Sequence, residues 1–539
     1  MSFPEKWISW IKGCLASGTG SVLINGSPTD EFTYKRGLRQ GDPISPFLFI
    51  IAMEIINLFM NRILGAGLYQ GFNLPNGGPT LTHLCYADDV LFIGRWSDKN
   101  AVTLSHFLRW LNLVTGLKVN LQKSKLFGFG VSDDEKVRLA NILKCDVGKL
   151  PFTYLGIHIG VSMNRAKYWD PVVNKFSAKF SKWKARFLSF AGRVTLAKSV
   201  LGSFPSYFLS LFAAPKCVIN KLEKIRRDFV WGFSDSTKKL RWVRWEGLMK
   251  SKKNGGLGVG SIKDFNIAML TKWWWRHNSE PNQLWARVIS SIHKNNVVLL
   301  IPLKKSIPGV WNYIGKMESV LDKAGLCLNQ NLIVDNGVWK WRSSSDVGFS
   351  VRQVRMDLEN IRLSNPEVDP ELVRNSWAPA KGNIFLWQAL LGRIASKEGL
   401  ARRGVPILDV VCPRCGLYSE SPYHIFISCL WAKSIWWNVL AWLRIRFPIN
   451  CESLLDLVKY VKECPGGRTW KRLVSTVVIA TVWRIWSTRN AKVFENSFIP
   501  IMKSLELIKE DAFLWVSNRS RNIKPKWEKW ASFDVVDLM

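Results

Sequence analysis

The chain has 539 residues, with 76 Lys and Arg against 41 Asp and Glu, and 47% of its residues are hydrophobic. That length suggests three or four domains, and the hydrophobic share excludes a disordered chain. A formal net charge of +35 excludes indifference to polyanions, because so large a basic excess draws nucleic acid or anionic lipid. Trp outnumbers Tyr by 28 to 10, and most of these rings are expected in cores rather than stacked on bases. Ten Cys are too sparse for a disulfide framework and point to a reducing compartment. The apolar stretches Pro43–Met53 and Leu473–Trp483 fall short of the ~18 residues a span needs, so no membrane anchor is expected. Glu5, Lys6 and Lys12 argue against a signal peptide at the start.

Residues 1–160 mix strand and helix signals, with breaks at Gly65–Gly67 and Leu74–Pro79. Ser45-Pro46 reads as a helix start, Ser as N-cap and Pro as first helical residue, with the helix running through Phe47, Ile50, Ile51 and Ile55 to about Arg62. Ahead of it Gly37 and Gly41 leave a loop without side chains, flanked by the donors Arg36, Arg39 and Gln40. This fits a ligand loop and, equally, a capped helix behind a solvated loop. In Leu84–Ile93 two β-prone runs flank Asp88-Asp89, which predicts a hairpin. Adjacent carboxylates suit Mg²⁺, although a lone Asp-Asp pair also fits an ordinary turn. Val102, Phe107, Leu108, Leu111 and Val114 fall at helical spacing, closed by Gly116. Lys118, Lys123 and Lys125 follow on a short strand, a cluster that taken alone reads as a solvated face.

From Arg165 to Lys253 the pattern turns helical and basic, with 21 Lys and Arg against 5 Asp and Glu. Lys175, Lys179, Lys182 and Arg186 lie three or four residues apart, so a single helix face can present them together. Phe176, Phe180, Trp183 and Phe187 recur on an adjacent face and are expected to pack inward. Asn254–Gly260 reads as a loop, Ser364–Pro370 as a linker, and Pro465–Gly467 as a break before a last, Trp-studded helical segment. Cys412, Cys415, His424 and Cys429 form Cys-x₂-Cys-x₈-His-x₄-Cys, a pattern suited to tetrahedral Zn²⁺. Four protein ligands leave no open position, so such a site is structural. The alternative is a chance Cys-x-x-Cys beside a core His.

In this order the motifs resemble the palm of a reverse transcriptase from LINE-type (non-LTR) retroelements of plants. Arg36–Phe49 resembles the family's template- and nucleotide-contacting motif, Tyr86-Ala87-Asp88-Asp89 its catalytic turn, and Leu117–Lys125 its lysine motif. Leu150–His158 is similar to the strand leading toward the primer grip, and the likeness continues through Gly192–Ser199 and Asn254–Gly258. Val338–Leu443, with Trp377–Gln388, resembles the zinc-binding domain that follows such polymerases.

The resemblance implies an α+β fold: a truncated right-hand polymerase palm, a helical basic thumb or connection, and a small helical zinc-binding domain. The implied divisions are a partial palm at 1–160, the basic thumb or connection at 161–275, a connecting region at 276–345, the zinc-binding domain at 346–443, and a helical segment at 444–539. No RNase H is expected, because Asp534 and Asp537 lack an acidic framework. The family's chemistry is two-metal nucleotidyl transfer. By resemblance Asp88 and Asp89 hold Mg²⁺, and Arg36, Gln40, Gly41 and Lys123 face template or nucleotide. From their spacing, Lys175, Lys179, Lys182 and Arg186 are expected to contact the backbone of an RNA/DNA template–primer, and the resemblance implies an intracellular location, the nucleus rather than the cytoplasm. A further catalytic Asp of the family lies on a strand upstream of the Arg36 motif. Here only Met1–Lys35 precede that motif, and they match the stretch after that strand (Trp7–Cys14, Ser21–Pro28). The expectation is therefore an RNA-directed DNA polymerase family protein that is truncated and inactive alone, or else a nucleic-acid-binding remnant without catalysis.

Overall fold

The computed structural model describes residues 3–34, 41–180, 187–203, 205–232, 240–294, 300–344, 348–362, 375–521 and 523–534. They divide into two compact units, one of Met1–Ser162 with Glu280–Ile307, the other of Met163–Ser279 with Pro308–Met539.

The first unit mixes helices with two-stranded sheets. Helix Ser45–Gly65 starts at Ser45, but that side chain does not cap it; Ile44 occupies the cap position. The capping role falls to Asp42, whose carboxylate accepts from the Ile44 N–H at 2.9 Å. With Pro46 in the first turn one donor is absent anyway, so a second cap adds little. This helix has 21 residues and is apolar enough, by length and composition, to cross a membrane. Ile56, Met60 and Ile63 instead bury one face in a core with Tyr69, Phe107 and Leu111. Phe107 and Leu111 come from helix Asp98–Thr115, whose Ser97 side chain accepts from the Asn100 N–H, and Gly116 closes it at φ +73°. That left-handed conformation is where a glycine is needed. Phe59 stacks on Phe107 at 4.3 Å between ring centres.

The second unit is largely helical and, among the described residues, includes the hairpin Leu332–Asp335 against Val338–Trp341. Its tryptophans are mainly structural, as expected from their abundance. Trp169, Trp274, Trp341, Trp436 and Trp530 are among the largest fully buried side chains. Each indole N–H finds an acceptor, as with Trp274 to the Ile314 carbonyl at 2.8 Å and Trp436 to that of Phe426 at 2.8 Å. The glycine-rich loop at 254–260 is tied down from within. Fully buried Arg226 donates to the carbonyls of Val259 and Gly260 at 3.0 and 2.9 Å. Its partner Glu223 accepts from the Trp245 indole and the Ile262 N–H.

One hydrophobic core runs from Trp377 to Phe533 without a break at residue 443. Helix Ala380–Leu390 packs on helix Arg468–Phe494, which packs in turn on Ile501–Arg519. The helical segment after 443 therefore supplies much of the interior on which the preceding residues rest.

Candidate metal centre and nucleic-acid interface

Strand His83–Tyr86 pairs antiparallel with Asp89–Phe92, Tyr86 opposite Asp89. The expected hairpin is present. A two-residue turn requires positive φ, and Ala87 takes it at +51°. This geometry exposes Asp88 and Asp89 at the tip. Burial first, and then the negative charge of Asp89, push up the phenol of Tyr154, which lies on the hairpin of Phe152–Tyr154 and Ile157–Ile159. Glu54, on helix Ser45–Gly65, lies toward the strand before the turn. Burial and then Glu54 raise the Cys85 thiol. Glu54 was not marked by any motif; its one signal is a carboxylate within an apolar helix. Among the described residues, no cluster of three or more potential metal ligands includes Asp88 or Asp89.

Gly41 takes φ +95°, and a Cβ there would meet nothing within 4 Å, so the backbone stays open to approach. Arg36 and Gln40 lie outside the described residues. Lys123 is exposed in the turn closed by Asn120, before the short strand Lys125–Leu126 rather than on it. Lys123 pairs with neither Asp88 nor Asp89 among the described residues.

The basic stripe is described at its first two residues, Lys175 and Lys179. Helix Asp170–Lys179 ends at Phe180, which leaves helical geometry at φ −104°, ψ 37°. Phe180 turns into the core against Phe229, with ring centres 4.8 Å apart. Lys175 and Lys179 are exposed on this helix, with Phe176 buried between them. Lys182 and Arg186, like Trp183, lie outside the described residues. Phe187 is 81% exposed, so the inward aromatic face expected through Phe187 does not reach it.

Cys412, Cys415, His424 and Cys429 converge, with ligand atoms all within 4.8 Å of one another. The first two lie on a tight knuckle. The Gly416 N–H donates to the Cys412 carbonyl at 2.9 Å, and Gly416 has φ +67°. His424 opens the turn of helix His424–Ser428, and Cys429 precedes helix Leu430–Trp442. His424 Nε2 is 3.3 Å from Cys415 Sγ, while Nδ1 is 3.1 Å from Ser428 Oγ. Ser428 thus orients the ring as an outer partner orients a metal-bound imidazole. The hydrogen bond from Cys412 lowers the Cys429 thiol, with backbone N–H groups of Ala432 and Trp431 adding to the effect. The same bond, with burial, pushes the Cys412 thiol up.

The donor set fits zinc on two counts. Bonds of ~2.0–2.3 Å in a tetrahedron place ligand atoms about 3.3–3.8 Å apart; His424 Nε2 and Cys415 Sγ are 3.3 Å apart and all four ligand atoms lie within 4.8 Å, so small shifts would close the set on one ion. Three thiolates and a neutral imidazole around Zn²⁺ leave one net negative charge, and a cation stands beside them. Arg414 lines the same small cavity as Cys412 and Cys429. Its guanidinium lies 4.2 Å over the Trp431 ring, and its Nε and Nη2 are buried without a hydrogen-bond partner. Arg489 also lines the cavity but is committed elsewhere. It donates through Nε to Glu420 Oε2 at 2.9 Å and through Nη2 to Glu420 Oε1. Glu420 is wholly buried and also accepts from the Lys397 N–H at 2.8 Å. Neither member of this pair was marked by sequence spacing.

Comparison with known proteins bears on both regions. The family described as reverse transcriptase (RNA-dependent DNA polymerase) matches residues 1–159, and that described as zinc-binding in reverse transcriptase matches 349–436. A putative ribonuclease H protein of Arabidopsis thaliana is 39% identical over 405 residues, 60% of this chain and 64% of its own length. The retrovirus-related Pol polyprotein from type-2 retrotransposable element R2DM of Drosophila melanogaster is 28% identical over 280 residues, covering 48% and 24%. The transposon TX1 149 kDa protein of Xenopus laevis is 25% identical over 318 residues, covering 54% and 22%. The chain thus spans less than two thirds of the first relative and about a quarter of the other two.

Proposed function

Because the chain belongs to the reverse transcriptase family, with retrotransposon Pol proteins among its relatives, we propose that its 539 residues bind an RNA/DNA template–primer but do not extend it unaided. In this reading residues 41–159 are part of a polymerase palm, residues 163–253 a thumb or connection, and the Cys412–Cys429 cluster a structural zinc centre. Asp88 and Asp89 can offer oxygen ligands to Mg²⁺. Two-metal transfer, however, needs carboxylates that converge on both ions, and among the described residues this pair stands without a third. That isolation of the pair carries the reading. The residue set does not fit a two-metal centre, so no chemical step is assigned to it.

Binding rests on exposed cations backed by a packed scaffold. Lys175 and Lys179 project from a helix whose Val172, Val173 and Phe176 are buried, so the core holds the helix while the lysines meet solvent. Such a surface suits phosphates and carries no base readout. Each phosphate contact releases counterion, giving a log–log salt slope of about −0.7 to −0.9 per contact.

Purified protein should bind a labelled RNA–DNA hybrid with a steep salt dependence. It should incorporate no dNTP above background with Mg²⁺, and Asp88→Ala should change neither property. Incorporation that Asp88→Ala abolishes would overturn the inactive part of the reading. Salt-independent binding would overturn the binding part.

A further inference from the structure

Two segments far apart in sequence meet in the second unit. Trp242 lies just before helix Trp245–Met249, and Arg403 just after helix Lys397–Ala401. The Arg403 guanidinium sits 4.3 Å over the Trp242 ring and donates through Nη1 to the Gly399 carbonyl at 3.0 Å. It is therefore fixed on both a face and an edge.

Other cations crowd it. Arg393 and Arg402 are exposed. Burial first, and then the charges of Arg393 and Arg402, lower the Arg403 guanidinium. Arg393 makes no ion pair among the described residues. Arg402 pairs with Glu398 one turn back on the helix, with 70% of its side chain exposed. An exposed pair of that kind holds the arginine weakly and leaves it available to a stronger anion. Asp409 is tied to Lys397 at 3.2 Å. Three guanidinium charges held together against the single carboxylate of Glu398 lower the cost of bringing in an external anion. Guanidinium forks match phosphate oxygens better than ammonium groups do.

We propose that Arg393, Arg402 and Arg403, braced on Trp242, bind the phosphate backbone of a nucleic acid and carry the basic surface of residues 165–253 into the zinc-binding domain. This rests on the nucleic-acid-binding reading above and adds a second, separate contact surface to it. The zinc centre then has a positional role: the knuckle and the helix Lys397–Ala401 belong to one framework, joined where Glu420 accepts from the Lys397 N–H at 2.8 Å.

The test uses the full chain loaded with zinc, titrated with a labelled RNA–DNA hybrid at several salt concentrations. The triple variant R393Q/R402Q/R403Q should flatten the log–log slope by about two to three units while keeping its zinc content. The lysine triple variant, which keeps the charge, should restore the slope. Should the Gln triple variant lose zinc, Arg393→Gln alone reads the same effect at about one unit, because that exposed residue makes no side-chain ion pair among the described residues. A wild-type slope in these Gln variants, with wild-type protein binding the hybrid, overturns the patch and leaves the broader reading standing. Failure of the wild type to bind any hybrid overturns the broader reading itself. Binding lost only toward anionic lipid vesicles, with hybrid binding intact, would assign the patch to headgroups and also overturn the proposal.

Discussion

Stripping zinc should unfold the domain around Cys412–Cys429 rather than block a reaction. The four ligands come from a knuckle, a short helical turn and the residue before helix Leu430–Trp442, so the ion joins three elements that otherwise hold together through packing and a few hydrogen bonds, such as that from the Cys429 N–H to the His424 carbonyl at 3.0 Å. Structural zinc contributes its binding free energy to folding, about 10–16 kcal/mol as an apparent value in zinc-finger peptides. The larger core here, continuous to Phe533, should retain part of the fold, leaving a partial loss of helicity and of cooperative unfolding. Elemental analysis should find one equivalent of zinc. Cys412→Ser and His424→Ala should each release it and lower the melting temperature, and chelator should reproduce the effect in the wild type. Protein purified without chelator and found free of zinc would count against the centre. Arg414→Gln should weaken zinc retention by about 10–100-fold, the range for removal of an outer partner.

Breaking the buried pair of Glu420 and Arg489 should cost almost as much as any single change in the chain. Both side chains are at most 5% exposed, and removing one partner leaves the other charged and unpaired in a dry interior. That situation costs about 3–5 kcal/mol. Glu420→Ala and Arg489→Ala should each produce it, measured as a fall in the denaturant midpoint at unchanged slope. The double variant E420L/R489M should recover most of the loss, because an apolar pair of similar volume avoids the desolvation of two ions. If each single variant and the double variant lose the same amount, packing rather than charge holds this point. The pair also links helix Arg468–Phe494 to the zinc module, so the single variants should loosen zinc as well.

How far the sequence led differs from site to site. The hairpin at Asp88 was legible because alternating β-prone runs around two polar residues leave few other geometries. Helix Asp98–Thr115 was legible from the helical spacing of Val102, Phe107, Leu108, Leu111 and Val114, with Gly116 marking its end, while its Ser97 cap came only with the structure. The zinc cluster could be read because its ligands lie within 18 residues and each type has one chemistry in common. The basic stripe is followed only to Lys179, the last residue of helix Asp170–Lys179, because Lys182 and Arg186 lie outside the described residues. Spacing of three and four residues describes a helix face only while the helix lasts, and Phe180 ends it by turning into the core. The Ser45 cap was misassigned because Asp42, three residues earlier, was better placed to meet the first free N–H.

Local sequence thus determined the hairpin, the helices, the zinc-ligand pattern and the family, since each depends on residues a few positions apart. Only the tertiary structure decided what depends on distant residues meeting. It placed Arg489 on Glu420, Arg403 on Trp242, and Arg414 beside the two sulfurs of Cys412 and Cys429. It also left Asp88 and Asp89 without a third carboxylate among the described residues. The physical reason is that charge and ring contacts fall off within a few ångströms, and no periodicity in the chain records which segments will come that close.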